Sequence, residues 1–176
     1  VQDKHWIVID PKTDEIYMTW TQFDAYNSSE PQDSSFIHFS KSSDDGDTWT
    51  EPVRISIKGG DCLDGDDTVE GAMPALGEDG MLYVVWSGPH GLMLRSSADR
   101  GQTWNPTEQM LFKHEGGWTI DVPDFYRSNG LPVFISDHNT DSPYCGNLYL
   151  NWAIEDEETG RTSVLFSKSE DNGESW

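Results

Sequence analysis

Ser42-Ser43-Asp44-Asp45-Gly46-Asp47-Thr48-Trp49 decides the fold, because the chain returns to it twice. The second copy reads Ser97-Ala98-Asp99-Arg100-Gly101-Gln102-Thr103-Trp104 and the third Ser169-Glu170-Asp171-Asn172-Gly173-Glu174-Ser175-Trp176. The shared pattern is Ser-x-Asp-x-Gly-x-[Thr/Ser]-Trp. Its chemistry is that of a turn: the carboxylate accepts bonds from nearby backbone N–H groups, Gly supplies positive φ, and Trp returns the chain to an apolar layer. Apolar runs precede each copy, at Phe36-Ile37-His38-Phe39, Leu92-Met93-Leu94 and Val164-Leu165-Phe166. Each copy is therefore read as a hairpin turn between two strands.

A second repeat lies upstream of each turn. Tyr17-Met18-Thr19-Trp20 recurs as Tyr83-Val84-Val85-Trp86 and as Tyr149-Leu150-Asn151-Trp152, at steps of 66 and 66 residues. Six of the 8 Trp belong to the two repeats, so the Trp content is itself a repeat signature. The periodicity predicts an all-β chain of successive four-stranded antiparallel units and no helix.

The Ser-x-Asp-x-Gly-x-Thr-Trp pattern resembles the Asp-box, or BNR repeat, of sialidase-type (exo-alpha-sialidase-like) β-propellers, along essentially the whole chain. The resemblance implies a β-propeller of four-stranded blades, six-bladed when complete. A ring of that size needs roughly 400 residues at this repeat length. The chain then forms about half a ring, a single partial domain over 1–176, with blades at about 1–57, 68–113 and 127–176, the last incomplete. The structural motif residues are Ser42, Asp44, Gly46 and Trp49, then Ser97, Asp99, Gly101 and Trp104, then Ser169, Asp171, Gly173 and Trp176. No signal-peptide pattern occurs. The chain begins at Val1 and stops at Trp176 within its third motif, so it reads as a piece of a longer protein whose remaining blades are its first partner.

In such a meander the repeated turns lie on one face, with the short turns at 11–14 and 77–80 and the longer one at 136–146. Loops 22–35, 57–70, 113–130 and 155–160 lie on the other. Long loops on a rigid scaffold concentrate function, so the loop face is the candidate site. There the innermost strands begin, at Asp3-Lys4-His5, Thr68-Val69-Glu70 and Tyr126-Arg127-Ser128. Arg127 and Glu70 are the candidate catalytic pair: Arg grips a sugar carboxylate in a planar fork, and Glu70, or one of Asp61, Asp64, Asp66 and Asp67, supplies acid/base chemistry. The alternative is that Arg127 pairs with Asp121 or Asp124 in its own loop and that Glu70 is a solvated rim carboxylate. Trp118, Tyr126 and Asp3 are the candidate substrate-binding residues, with Phe125 and Tyr26 as further aromatics for stacking on sugar faces. The family nucleophile is a Tyr assisted by carboxylic groups. Its three-arginine grip, beginning in an Arg-Ile-Pro motif, is not matched here: the sequence has no Arg-Ile-Pro, and Arg54, Arg95, Arg100 and Arg161 fall away from the centre.

Charge narrows the partners. With 11 Lys plus Arg against 32 Asp plus Glu, the net charge is −21. That disfavours nucleic acid and anionic membrane surfaces, and no apolar run is long enough to insert in a membrane. The expected partner is a glycan or glycoconjugate, and the acidic surface favours an extracellular or periplasmic setting. Asp61, Asp64, Asp66 and Asp67 have the oxygen density of a Ca²⁺ loop but not the EF-hand spacing. The His residues show no zinc spacing. No metal or cofactor is expected. Cys62 and Cys145 either pair in an oxidising compartment or stay as small buried thiols. Two functions follow: a sialidase-like glycoside hydrolase acting on sialylated or related glycans, or a non-catalytic Asp-box propeller that binds a protein or glycan through the same face.

Overall fold

The computed structural model describes residues 1–77, 80–114, 117–156 and 158–176. Glu78 and Asp79 of one expected turn, and Glu115, Gly116 and Glu157 of two expected loops, lie outside the described residues. The chain is all-β. The first sheet is β1 (Gln2–Ile9), β2 (Ile16–Phe23), β3 (Ser35–Ser42) and β4 (Val53–Arg54). The second is β5 (Glu70–Leu76), β6 (Leu82–Gly88), β7 (Gly91–Ser97) and β8 (Gln109–Phe112). A two-stranded ribbon, β9 (Thr119–Ile120) with β10 (Ser128–Asn129), precedes a third sheet of β11 (Val133–Ser136), β12 (Leu148–Glu155) and β13 (Thr162–Ser169). Every sheet is an antiparallel meander in chain order, as in the blades of a propeller-like fold, and there is no closed barrel. The ribbon falls where an unstructured loop is expected from the sequence, because two-residue strands carry no readable periodicity.

Strand alternation explains how the sheets stack. In Tyr-x-x-Trp the two aromatics are three residues apart and so point to opposite faces. Tyr17 joins the core between the first and second sheets, with Ile37, Phe39, Val84 and Trp86. Tyr83 joins the core between the second and third, with Phe134, Leu148, Leu150 and Trp152. Tyr thus faces the following sheet and Trp the preceding one. β6 is buried along its whole length, because both faces of the second sheet are covered. The first and third sheets are covered on one face only, so Ile7 is 56% exposed and Phe166 65% exposed on their outward faces. Side-chain bonds tie the junctions: the Thr19 and Thr21 hydroxyls donate to the Ala72 and Val69 carbonyls at 2.7 and 3.1 Å, and the Ser136 hydroxyl donates to the Leu76 carbonyl.

The three repeated turns are superimposable in their bonding. In the second, the Ser97 hydroxyl donates to Asp99 Oδ1 at 2.8 Å and accepts the Gly101 N–H at 2.8 Å. Asp99 also accepts the Thr103 N–H at 2.7 Å and the Thr103 hydroxyl at 2.6 Å. The Ser42–Asp44–Gly46–Thr48 and Ser169–Asp171–Gly173–Ser175 sets repeat it. The Thr103 hydroxyl, with the Thr103 N–H and the Ser97 hydroxyl, stabilises the charged carboxylate and lowers Asp99 from 3.8 to about 2. Ser175 and Ser169 act likewise on Asp171, also about 2. The second turn also serves the junction: Trp104 packs edge-on against Phe39 of the first sheet, with ring centroids 5.2 Å apart. Trp49, with no sheet before it, is 39% exposed.

Two predictions follow from the turns. Gly101 has φ +79 and lies directly under the Phe39 ring, where a Cβ would collide, whereas a Cβ on Gly46 (φ +90) meets nothing closer than 3.9 Å. Gly101→Ala should cost about 3 kcal/mol, from backbone strain plus overpacking, and Gly46→Ala about 1 kcal/mol, from strain alone, in urea unfolding. Equal costs would show that the turn is not part of the inter-sheet packing. The depressed Asp99 and Asp171 values favour the folded state above the ordinary 3.8, and that contribution is lost as the pH falls towards 2. Carboxyl-carbon NMR titration should give midpoints near 2 for both, and Thr103→Val should raise the Asp99 midpoint alone.

Candidate functional site

The innermost strands begin at the end opposite the repeated turns, and two of them begin with the same irregularity. The register of β1 on β2 shifts between Asp3 and Trp6, and that of β5 on β6 shifts between Glu70 and Met73. Asp3 and Glu70 occupy matching places, opposite Thr21 and Ser87. Each is followed by a residue at positive φ, Lys4 at 52° and Gly71 at 70°. Such bulges re-aim side chains, and a lysine at positive φ is backbone strain of the kind that gathers at functional positions. In the third sheet Arg127 does not fill the corresponding place: it precedes β10 in the ribbon, and Gly130 lies against the Ala153 carbonyl there.

Lys4 is the hub of this end. Its N–H donates to Asp3 Oδ1 at 2.8 Å. Its ammonium lies 2.5 Å from Glu70 Oε2, 3.2 Å from Asp3 Oδ2 and 5.4 Å above the Trp118 ring. The Glu70 side chain is fully buried, and its Oε1 has no hydrogen-bond partner among the described residues. Burial pushes the Glu70 carboxyl above its ordinary range against the opposing pull of Lys4. Burial works to lower Lys4, but Glu70 and Asp3 outweigh it and raise the ammonium pKa.

The acidic loop joins the loops around it. Asp64 Oδ2 accepts the Tyr26 hydroxyl at 2.5 Å and lies 3.8 Å from Arg127 Nη2, while Asp64 Oδ1 is buried without a partner among the described residues. Asp66 Oδ1 accepts the Thr119 N–H at 2.7 Å, and Asp61 Oδ1 the Leu63 N–H at 3.1 Å. These oxygens point to different neighbours, and no group of three His, Cys, Asp or Glu converges as a metal site among the described residues. Beside Glu70, His114 bridges two sheets: Nε2 lies 3.0 Å from the Ala153 carbonyl and so must donate, which leaves Nδ1 to accept the Ser87 hydroxyl at 2.8 Å. Burial lowers the His114 pKa, which favours the neutral ring.

The residues singled out from the sequence are thus dispersed. Glu70 and Asp3 meet through Lys4. Arg127 stands 67% exposed and faces Asp64, not Asp121 or Asp124. Tyr126 is fully exposed, and Trp118 is buried beneath Lys4 with no open face for stacking. Sequence reasoning passed over Trp6, which is 48% exposed. Trp6 forms the apolar wall of a cavity of about 290 Å³ with Leu131, Pro132 and Val133, and Lys4, His5 and Asn129 form its polar rim. The cavity lies at the leading ends of β1, β5 and β11, at the convergence of all three sheets. No signal in the sequence marks Trp6, because the register shift between Asp3 and Trp6 and the packing of β1 beside β11 are not local patterns.

No protein-family model matches this sequence, and no curated protein does. Among solved structures, it is similar to a protein of unknown function from Dyadobacter fermentans, at 17% identity and a TM-score of 0.63, over 99% of this chain and 53% of that one. It is also similar to a Hadza microbial sialidase, at 17% identity and a TM-score of 0.42, over 99% of this chain and 44% of that one. The chain spans about half the length of these structures. The first likeness shows the fold alone.

Lys4→Met should leave the buried Glu70 carboxylate without its cation and cost about 3 kcal/mol at neutral pH. A carboxyl whose folded pKa lies above its unfolded one favours folding more as the pH falls, so the deficit should shrink as Glu70 protonates. Urea unfolding of both chains at several pH values checks this, and a deficit that does not change with pH would separate Lys4 from Glu70.

Proposed function

We propose that this chain is part of a sialidase-like Asp-box propeller whose loop face binds glycans, a module of the glycoside hydrolase or glycan-binding kind. The observation that carries the reading is the cavity at the leading ends of the innermost strands. It has one apolar wall, from Trp6, Leu131, Pro132 and Val133, and one polar rim, from Lys4, His5 and Asn129. A pyranose has the same division, with an apolar C–H face and a hydroxyl-bearing edge, and a pocket of this size class suits a small ligand. The repeated Ser-x-Asp-x-Gly turns support the family part of the reading. Their Ser, Asp and Thr or Ser side chains bond within the turns themselves, which supports reading that face as scaffold.

The geometry of this stretch favours binding over bond cleavage. Hydrolysis needs a carboxyl group able to exchange a proton with the leaving oxygen. Glu70, the buried carboxylate here, is occupied by Lys4. The remaining catalytic groups of a hydrolase would come from further sheets of the same ring, which would also cover the outward apolar faces of the first and third sheets. An extracellular or periplasmic setting fits the acidic composition.

Amide NMR mapping of the chain with a mixture of simple methyl glycosides tests the assignment of faces. Shifts are expected at Lys4, Trp6, Asn129 and Val133, with the turn glycines Gly46, Gly101 and Gly173 unmoved. Perturbation confined to the turns, or no perturbation at any glycoside, would reject the glycan-binding loop face.

A further inference from the structure

Resting on that glycan-binding reading, we infer that the central cavity takes a neutral pyranose in preference to a carboxylate-bearing sugar. The charges around it lead there. Lys4 is the lysine of the cavity lining and Arg127 stands in the adjoining ribbon loop, and both already face carboxylates: Lys4 faces Glu70 and Asp3, and Arg127 faces Asp64. Both of these cations are thus engaged by three carboxylates, and an incoming anion at the cavity would have to compete with them. A carboxylate ligand would have to displace Glu70 from Lys4, stranding a fully buried acid, which is the costly way to break an ion pair.

The hydrogen-bonding groups of the rim point the same way. A hydroxyl both donates and accepts, so a polyol suits the mixed rim of Lys4, His5 and Asn129, whereas a ligand carboxylate only accepts and would compete with Glu70 and Asp3 for Lys4. Glu70 immediately precedes Gly71 of the cavity lining, and Trp118 lies under Lys4 of its rim, so both residues support the rim from beneath without lining the opening. The half-exposed Trp6 indole supplies the platform for the C–H face. At longer range the net charge of −21 repels anions before they arrive.

The test titrates the chain with methyl galactoside, methyl glucoside and methyl mannoside, and separately with the methyl α-glycoside of N-acetylneuraminic acid, following Trp fluorescence and amide shifts. At least one neutral glycoside is expected to bind about tenfold or more tightly than the sialoside, and Trp6→Ala, on the rim and half-exposed, should weaken it about tenfold. Glu70→Gln removes the carboxylate that holds Lys4, and the sialoside should then gain affinity while the neutral glycoside does not. Far-UV circular dichroism confirms that both variants keep the fold. Tighter binding of the sialoside to the unaltered chain would overturn this inference and leave the glycan-binding face standing. Binding of no glycoside would overturn both. Neutral binding unchanged in Trp6→Ala would place the sugar elsewhere and overturn the assignment of this cavity.

Discussion

A meander of four strands has two apolar faces, and the second sheet needs both of them covered. That constraint orders the rest of the molecule. Tyr83 must meet the third sheet because Trp86 meets the first, and the alternation of a β-strand allows no other division. The turns then have to hold each sheet at the spacing its neighbour requires. Gly101 does so by letting the Phe39 ring of the preceding sheet lie directly on the turn backbone, and Trp104 completes the contact from the side. A turn that is self-sufficient in hydrogen bonds can serve this purpose on an exposed edge, because it needs nothing from solvent or from a partner to keep its shape.

The same stacking explains the asymmetry between the two ends of the sheets. At the turn end, the Ser, Asp and Thr side chains bond with one another and with the local backbone. At the loop end, bonds run between sheets and loops: Lys4 to Glu70, Asp64 to Tyr26, Asp66 to Thr119, and His114 to both Ser87 and Ala153. Contacts of that kind assemble only when the sheets are already stacked, and among the described residues they leave Asp64 Oδ1 buried without a partner, as the core leaves the Tyr83 hydroxyl and the turns the Trp104 and Trp176 indole N–H groups. Unmatched buried polar atoms cost stability, and they are tolerated most readily where a ligand can complete them.

Much of the scaffold was legible in the residues. The Ser-x-Asp-x-Gly-x-[Thr/Ser]-Trp and Tyr-x-x-Trp repeats place the turns, the strands before them and the end of the sheets where the long loops gather, because each is a local pattern with a local physical cause. The site was legible only in part. Glu70 and Asp3 emerge from the topology, since both begin an innermost strand. Arg127 was placed by the same reasoning, and the structure sets it instead before a short ribbon, facing a carboxylate from a distant loop. Trp118 reads as a stacking platform by its type and becomes, by packing, the buried floor beneath a lysine.

The sequence alone therefore determined the strand order, the turn chemistry and the end of the sheets at which loops gather, because hydrogen bonding within turns and the two-residue period of strands act between near neighbours. Only the tertiary structure decided which charges pair, which aromatic is open to solvent and where the cavity lies. Lys4 meets Glu70 across 66 residues of chain, and Trp6 faces an opening walled by Leu131 and Val133. Those contacts depend on bulges and on the packing of one sheet against the next, and both are properties of the assembled sheets rather than of any stretch within them.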